Sequence, residues 1–346
     1  MRFATWNIEW FDALFDEDSR LILDDGWSRR PDVTRQRQAE AIATVIRRVD
    51  PDLLLVVEAP DTSRRRSTID ALEGFAVHFG LRQRDCIIGF QNGTRQELAL
   101  LTDPDICTAR HDPQGVFSDG TTRMEGVPAF NGRFRWDIDA DGRSEPHEFS
   151  KPPLEAEITL TGSGARLRLI GVHAKSKAAH GARNRDHARR IAIANRRKQL
   201  AQCFWLRLRI EEHLDRGDPL IVMGDLNDGP GLDEYEALFG RSGVEIVMGD
   251  PDDPARMLVD PNALSLIGPR RDPVPATARF YQPERRQFLN ALLDYVMLSP
   301  DLAARTRPVW RIWHPFDDPE CLGDPALFRA LMDASDHYPV SVDFSL

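Results

Sequence analysis

Apolar positions along the chain follow strand and helix periods, and the apolar runs repeatedly end in acids, amides or histidines. The run Ile221, Val222, Met223, bounded by Pro219 and Gly224, predicts a strand covered on both faces. At its tip stand Asp225 and Asn227, two positions apart. Extended chain points them the same way, while Gly224 and Gly229 permit a tight turn around them. RFATWNIEW alternates and carries Asn7 and Glu9, DLLLVVEAP ends in Glu58, and LRLIGVHAKSK ends in His173, Lys175 and Lys177. LLDYVMLSP holds Asp294, and SDHYPVSVDF opens with Asp336 and His337 before an alternating strand. So many strands with polar ends predict a sheet-rich core whose polar groups gather at one rim.

Helical spacing occurs in two longer stretches. Residues 34–49 place Ile42, Val45, Ile46 and Val49 on one face, and Pro51 stops the helix. Residues 185–214 place Ile193, Leu200, Phe204 and Leu208 on another. Both are expected to lie against a sheet. The segments at about 112–153 and 249–288 are rich in Pro, Asp and Arg or Gly, which predicts hairpins and long loops of the kind that select substrates. No linker, internal repeat or low-complexity tract divides the chain, so residues 1–346 are expected to form a single domain with these two loop-rich insertions.

With 41% hydrophobic residues in 346, the chain can bury a large core. Its net charge of -10 excludes a protein that coats nucleic acid by bulk charge, though not a local basic groove. Cys86, Cys107, Cys203 and Cys321 are scattered, without a CxxC pair. They predict reduced thiols, a cytoplasmic location and no zinc site. Neither an apolar leader at the N-terminus nor a run long enough to span a membrane is present, so no membrane span is expected. The segment from His173 to Arg209 sets eleven lysines and arginines against the single acid Asp186. Lys175 and Lys177, directly after His173, are expected to face a negatively charged substrate, whereas the helix arginines fit a solvated face.

Phosphoester hydrolysis requires charge neutralisation, an activated water and a stabilised leaving oxygen. A hard divalent ion held by carboxylate and amide oxygens answers the first need and helps with the others. Glu58, Asp225, Asn227 and Asp336 supply such groups from different strand ends. A GDxN tetrapeptide alone is an ordinary turn sequence. The ordered set WNIEW, VVEAP, GVHAKSK, VMGDLND, LLDYVMLSP and SDHYPV is far more specific, and from residue 5 to residue 341 it resembles the endonuclease/exonuclease/phosphatase superfamily of DNase I-like proteins, in particular its bacterial nuclease-like branch.

The resemblance implies an α/β fold, a four-layer αββα sandwich of two packed, mostly antiparallel sheets flanked by helices. It implies a phosphoryl hydrolase using one or two Mg²⁺ or Mn²⁺ ions. By the same resemblance Glu58 binds the metal with Asn7 beside it, the latter also near the substrate, and Asp336 adds a further carboxylate. Asp225 orients or deprotonates the attacking water or stabilises the leaving group, and also stands among the metal-side groups; Asn227 holds the phosphate. His337 is the acid/base histidine and Asp294 fixes its tautomer, in the usual logic of a histidine with one nitrogen bonded to a carboxylate and the other facing substrate. His173 contacts the scissile phosphate, with Glu97 as its candidate carboxylate partner. Two departures stand out: WNIEW lacks the usual Asn-x-Asn or Asn-x-Arg pattern, and VVEAP has Val57 where the family has an amide before the glutamate.

Three functions follow as expectations. A nuclease acting on DNA or RNA fits the HAKSK block and its basic continuation. A phosphodiesterase or phosphatase for a small or lipid-derived phosphoester fits the acidic overall charge. A binding module with a decayed site would have to explain why every principal position still carries a competent side chain.

Overall fold

The computed structural model describes residues 1–346 except 122–124, 139–141, 180, 233–235, 268–273 and 283–285. The strands are β1 Arg2–Asn7, β2 Leu53–Pro60, β3 Asp85–Ile88, β4 Gln96–Thr102, β5 Cys107–His111, β6 Phe134–Trp136, β7 Glu145–His147, β8 Leu154–Leu160, β9 Arg166–His173, β10 Leu220–Asp225, β11 Ala278–Gln282, β12 Gln287–Ala291, β13 Asp294–Leu298, β14 Val309–Ile312 and β15 Val340–Asp343. The helices are α1 Arg35–Val49, α2 Thr68–Phe79, α3 Arg185–Asp215, α4 Gly243–Met248, α5 Pro261–Ile267, α6 Pro300–Thr306, α7 Pro319–Gly323 and α8 Pro325–Ala334.

Six strands form one sheet in the order β14-β15-β1-β2-β4-β3, and five form another in the order β13-β10-β9-β8-β5. Within them β1–β2 and β9–β10 run parallel and the other pairs antiparallel. The two sheets pack face to face through Phe3, Leu55, Val57 and Leu100 on one side and Leu154, Leu169, Ile221 and Val296 on the other. Outside the first sheet, Ile42, Val45, Leu72, Phe75 and Leu331 of α1, α2 and α8 cover Trp6, Leu54 and Val56. Outside the second, Leu200, Leu206, Ile210 and Val247 of α3 and α4 cover Ile170 and Val222. The order of layers is therefore αββα, as the resemblance implies.

Alternation along each strand makes this possible: odd-numbered Leu53, Leu55 and Val57 enter the space between the sheets, while Leu54 and Val56 face the helices. Helix α1 starts at the side-chain cap of Thr34 and ends at Asp50, whose backbone is left-handed (φ 48°). Its buried residues include the four that spacing predicts. Helix α3 has 31 residues, one beyond the predicted 185–214, and of the predicted face Leu200 is buried while Ile193 is half-buried. Gln199, Cys203, Leu206, Ile210 and His213 turn inward, with the large side chains of Arg196, Trp205 and Arg209 also buried. Phe204 and Leu208 are half-buried, because the 112–153 insertion covers them: Trp136 stacks on Phe204 with centroids 5.4 Å apart, and Phe134 stacks on both Trp136 and Trp205. Those aromatics are packing residues of the β6–β7 hairpin. The described part of the 249–288 insertion holds α5 and β11, which pairs with β12.

Candidate active site

Several inward-facing rows of the sandwich end in a polar residue at the same rim. On β1, Asn7 follows Phe3 and Thr5; on β9, His173 follows Leu167, Leu169 and Gly171; on β10, Asp225 follows Ile221 and Met223. On β13 the row begins with Asp294, and since β13 is antiparallel to β10 its start lies beside the end of β10. Asp225 is thus directly opposite both His173 and Asp294. Gly224 has φ 131°, and a Cβ there would stand 2.1 Å from the Val172 carbonyl oxygen, so glycine is required for β10 to approach β9 just before Asp225.

Glu58 reaches the rim by another device. The β2–β4 register shifts between Val57 and Ala59, and Glu58 occupies the bulge with left-handed backbone (φ 64°). Unbroken alternation would place Glu58 with Leu54 and Val56, under the helices. A non-glycine residue in this conformation costs on the order of 1–2 kcal/mol, which the surrounding sheet must offset.

His337 Nδ1 and Asp294 Oδ2 are 2.8 Å apart, and Thr277 Oγ1 donates to the same oxygen at 2.8 Å. The backbone N–H groups of Leu293 and Asp294 both donate to Thr277 Oγ1, so the threonine is locked as a donor to the carboxylate. Ser335 Oγ accepts from the His337 backbone N–H and donates to the Asn7 carbonyl, fixing the loop that carries the histidine. Burial opposes charge on His337, but the charge and hydrogen bond of Asp294 outweigh it and hold the imidazole well above its ordinary pKa.

Asp225 Oδ1 accepts from the Asn227 backbone N–H at 2.7 Å, and Oδ2 accepts from the side-chain amides of Asn7 (3.0 Å) and Asn227 (3.1 Å). Asn227 also donates to the Ala174 carbonyl, so both hydrogens of its amide are engaged in holding the Asp225 loop. Burial, then the neighbouring Asp294 charge, push Asp225 up to about 6. Burial likewise pushes Glu58 up to about 7, against the pull of Lys151 and His337.

Asn7, Glu58, His173, Asp225, Asn227 and His337 line a cleft of about 590 Å³ together with Glu9, Trp10, Thr94, Gln96, Ser150, Lys151, Lys175, Ser176 and Asp336. Asn7 Oδ1 is buried without a hydrogen-bond partner, and the Glu58 carboxylate stands 4.0 Å from His173 Nε2, outside hydrogen-bond reach. An orphaned amide oxygen and under-compensated buried carboxylates are what a hard divalent ion would satisfy. Asp225, Asp294 and His337 also offer atoms within 4.8 Å of one another. Within that trio His337 Nδ1 and Asp294 Oδ2 are hydrogen-bonded at 2.8 Å, so that nitrogen is engaged, while Asn7, Glu58 and Asp336 bring to the cleft oxygen atoms of the kind a hard ion takes.

Two predicted site residues lie elsewhere. Glu97 does not meet His173: Leu98 and Leu100 of β4 face the second sheet, so strand parity sends Gln96 to the cleft and Glu97 to the opposite face. There Asn92 donates to Glu97 from its side chain (2.7 Å) and its backbone. Lys177 turns from the cleft to the buried Asp228, which also binds Arg196 and the Gly243 N–H. A carboxylate with no exposure needs such compensation, and it captures the lysine. Lys175 does line the cleft. Sequence reasoning missed Lys151, Gln96, Thr277 and Ser335; Gln96 opens β4 one residue before the predicted Glu97, and the other three lie outside the strands.

The sequence profile of the Endonuclease/Exonuclease/phosphatase family matches residues 4–337. The chain belongs to this family. It is accordingly a metal-dependent hydrolase of phosphoric esters. No curated protein matches the chain. Among solved structures it is similar to the 3'-5' exonuclease NExo from Neisseria meningitidis, at 16% identity and TM-score 0.50, covering 100% of both chains. It is also similar to D. rerio TDP2 complexed with a single-strand DNA product, at 15% identity and TM-score 0.51, covering 100% of this chain and 99% of that one. A family protein from Bacteroides thetaiotaomicron matches at 15% identity and TM-score 0.50, covering 99% and 94%. At such identities the likeness is one of fold. Among the described residues, no helix is long and apolar enough to cross a membrane.

Proposed function

We propose that this family member is a nuclease that cleaves DNA or RNA with Mg²⁺ or Mn²⁺. The observation that carries the reading is the lining of the cleft: apart from Trp10 and Ala174 it is polar or charged, with Lys151 and Lys175 beside the carboxylates. That surface suits a phosphodiester backbone flanked by sugars and, among the described residues, offers no wall for an acyl chain. The fold likeness to a protein complexed with single-strand DNA supports the same choice.

Glu58, Asn7 through its free Oδ1, and Asp336 would hold the ion. Bound there, it supplies charge neutralisation at the phosphate and polarises the scissile bond. Asp225, fixed by three hydrogen bonds, receives the proton of the attacking water. Asn227, expected from the sequence to hold the phosphate, has both amide hydrogens engaged and instead keeps Asp225 in place. His337, held protonated by Asp294 at Nδ1, presents Nε2 and gives its proton to the leaving oxygen as the P–O bond breaks.

Ion affinity should follow the protonation of Glu58. Because its folded pKa is about 7, a proton competes with the ion below that pH. Titrated with Mn²⁺, the apparent affinity should rise by about tenfold per pH unit up to about 7 and then level off. Glu58→Gln should abolish both the binding and the accompanying rise in melting temperature; an unaltered Mn²⁺ titration in that variant would place the ion elsewhere.

The function itself is tested with labelled single-stranded DNA, duplex DNA and RNA at low salt, with Mg²⁺ or Mn²⁺ and with EDTA. Metal-dependent cutting of at least one polymer is expected. A preparation that hydrolyses an aryl phosphodiester yet cuts no polymer would overturn the nuclease reading in favour of a small phosphoester substrate.

A further inference from the structure

Lys151 is not the end of any strand and belongs to no recognisable motif, yet it occupies the place where a carboxylate partner for His173 was expected. It lies in the short connection between β7 and β8, the last residues of the 112–153 insertion. Its ammonium donates to Gln96 Oε1 at 2.5 Å and stands 3.1 Å from His173 Nδ1 and 3.5 Å from Nε2. Around Nε2 the acceptors lie beyond hydrogen-bond reach, 3.8 Å away for Asp225 Oδ2 and 4.0 Å for Glu58 Oε1. The donor stands nearer Nδ1 and the two carboxylates lie on the Nε2 side, an arrangement that favours the tautomer with its proton on Nε2.

We propose that Lys151 is a substrate-phosphate ligand of this enzyme, delivered to the cleft by the insertion, and that its position against Nδ1 fixes His173 as a neutral donor through Nε2 instead of a proton carrier. An ammonium has three N–H groups. Gln96 and His173 take two, leaving one for a phosphate oxygen in the cleft that Lys151 lines. Neutral His173 adds a second donor from its Nε2. The proton steps then belong to Asp225 and His337 alone, and the basic role that the sequence suggests for Lys177 passes to a lysine 26 positions earlier. Burial lowers the Lys151 pKa, and the Glu58 and Asp225 carboxylates oppose that shift.

The inference rests on phosphoester hydrolysis and not on the choice of polymer, so its test uses an aryl phosphodiester, with inorganic phosphate as competitive inhibitor. Lys151→Met keeps the aliphatic stem and removes the donors. It should lower kcat/KM by about 10- to 100-fold and raise the phosphate inhibition constant by at least about tenfold, the range expected for losing a charge-assisted hydrogen bond. Added ethylammonium should restore part of the rate to a Lys151→Ala variant, and tetramethylammonium, which has no N–H, should not. Kinetics within threefold of wild type for Lys151→Met, with unchanged phosphate inhibition, would overturn the ligand role.

The tautomer is read separately on the wild-type protein at neutral pH by nitrogen-15 correlation spectra of the histidine rings. His173 should show a pyridine-type Nδ1 and a pyrrole-type Nε2; an imidazolium or an Nδ1–H ring there would overturn the proposal even if both variants fail to fold. If no nucleic acid is cut but the diester kinetics behave as stated, the nuclease reading fails and the assignment of Lys151 stands.

Discussion

Asp225→Asn is expected to lower turnover by about 10³-fold or more while leaving the melting temperature within a few degrees of wild type. The loss follows from removing the group that takes the water's proton, a contribution of about 10² to 10⁴ for a positioned acid or base. The small change in stability is a balance of two opposing effects. An amide at position 225 must set an N–H₂ against donors in either orientation, facing the Asn227 backbone N–H or the amides of Asn7 and Asn227. Such a mismatch costs about 1–3 kcal/mol.

Against that, the folded Asp225 pKa of about 6 lies above the ordinary 3.8, so folding favours the protonated acid. Its contribution is present below pH 4 and lost as pH rises through about 6. At pH 7–8 the buried ionised carboxylate is a destabilising charge, by roughly 1.4 kcal/mol for each unit of displacement, and the amide removes it. Turnover within tenfold of wild type, measured with an aryl phosphodiester in saturating Mn²⁺, would sink the assignment of Asp225. A collapse of the fold would show that the hydrogen-bond mismatch had won.

His337→Gln should reduce turnover by about 10² to 10⁴-fold. Glutamine can still donate to Asp294 Oδ2, replacing the 2.8 Å bond from Nδ1, but it has no proton to transfer. Comparison with His337→Ala separates chemistry from scaffolding. Alanine leaves Asp294, which is fully buried, with Thr277 as its side-chain donor and one oxygen already unpartnered. Breaking a buried ion pair from one side costs about 3 kcal/mol, so the alanine variant should melt well below the glutamine variant while the two share a similar turnover defect.

The pH dependence has a definite sign. The folded His337 pKa is raised, so its contribution to stability is fully present below its ordinary value of 6.5 and is lost only as pH rises through the higher folded value. The stability gap between wild type and His337→Gln should therefore persist at neutral pH and narrow on the alkaline side. A gap that widens with pH would mean that the histidine is neutral in the fold.

Both predictions concern residues that the sequence exposes by simple rules. Asp225 continues the row of Ile221 and Met223, Asp294 precedes the row of Val296 and Leu298, and His337 stands three residues before the first residue of the β15 row. Period-two alternation and an abrupt change from apolar to polar are enough to mark such positions, because a strand fixes the side on which each residue points. The extent of α1 and α3 was readable for the same reason, from local spacing and caps. The buried face of α3 was not. The polar Gln199 and the charged Arg196 and Arg209 are buried through partners distant in sequence, and Phe204 is covered by a hairpin that no local pattern brings to it.

By itself, then, the sequence determined which residues share a row, which rows end in chemistry, and the order in which those rows occur. Only the tertiary structure decided which side of each row faces the partner sheet. In QELALL the alternation is equally consistent with Gln96 or Glu97 turning inward, and packing of Leu98 and Leu100 against the second sheet selects Gln96. Glu58 reaches the rim through a register shift that no periodicity announces, since a bulge is defined by the pairing of two strands and not by either one. Lys177 leaves its expected place, and Lys151, which no sequence pattern marks, enters the cleft, for a similar reason: a long flexible cation goes to the acceptors within its reach, and those acceptors, Asp228 for Lys177 and Gln96 and His173 for Lys151, lie 51 to 55 positions away in two of the three cases and 22 in the third.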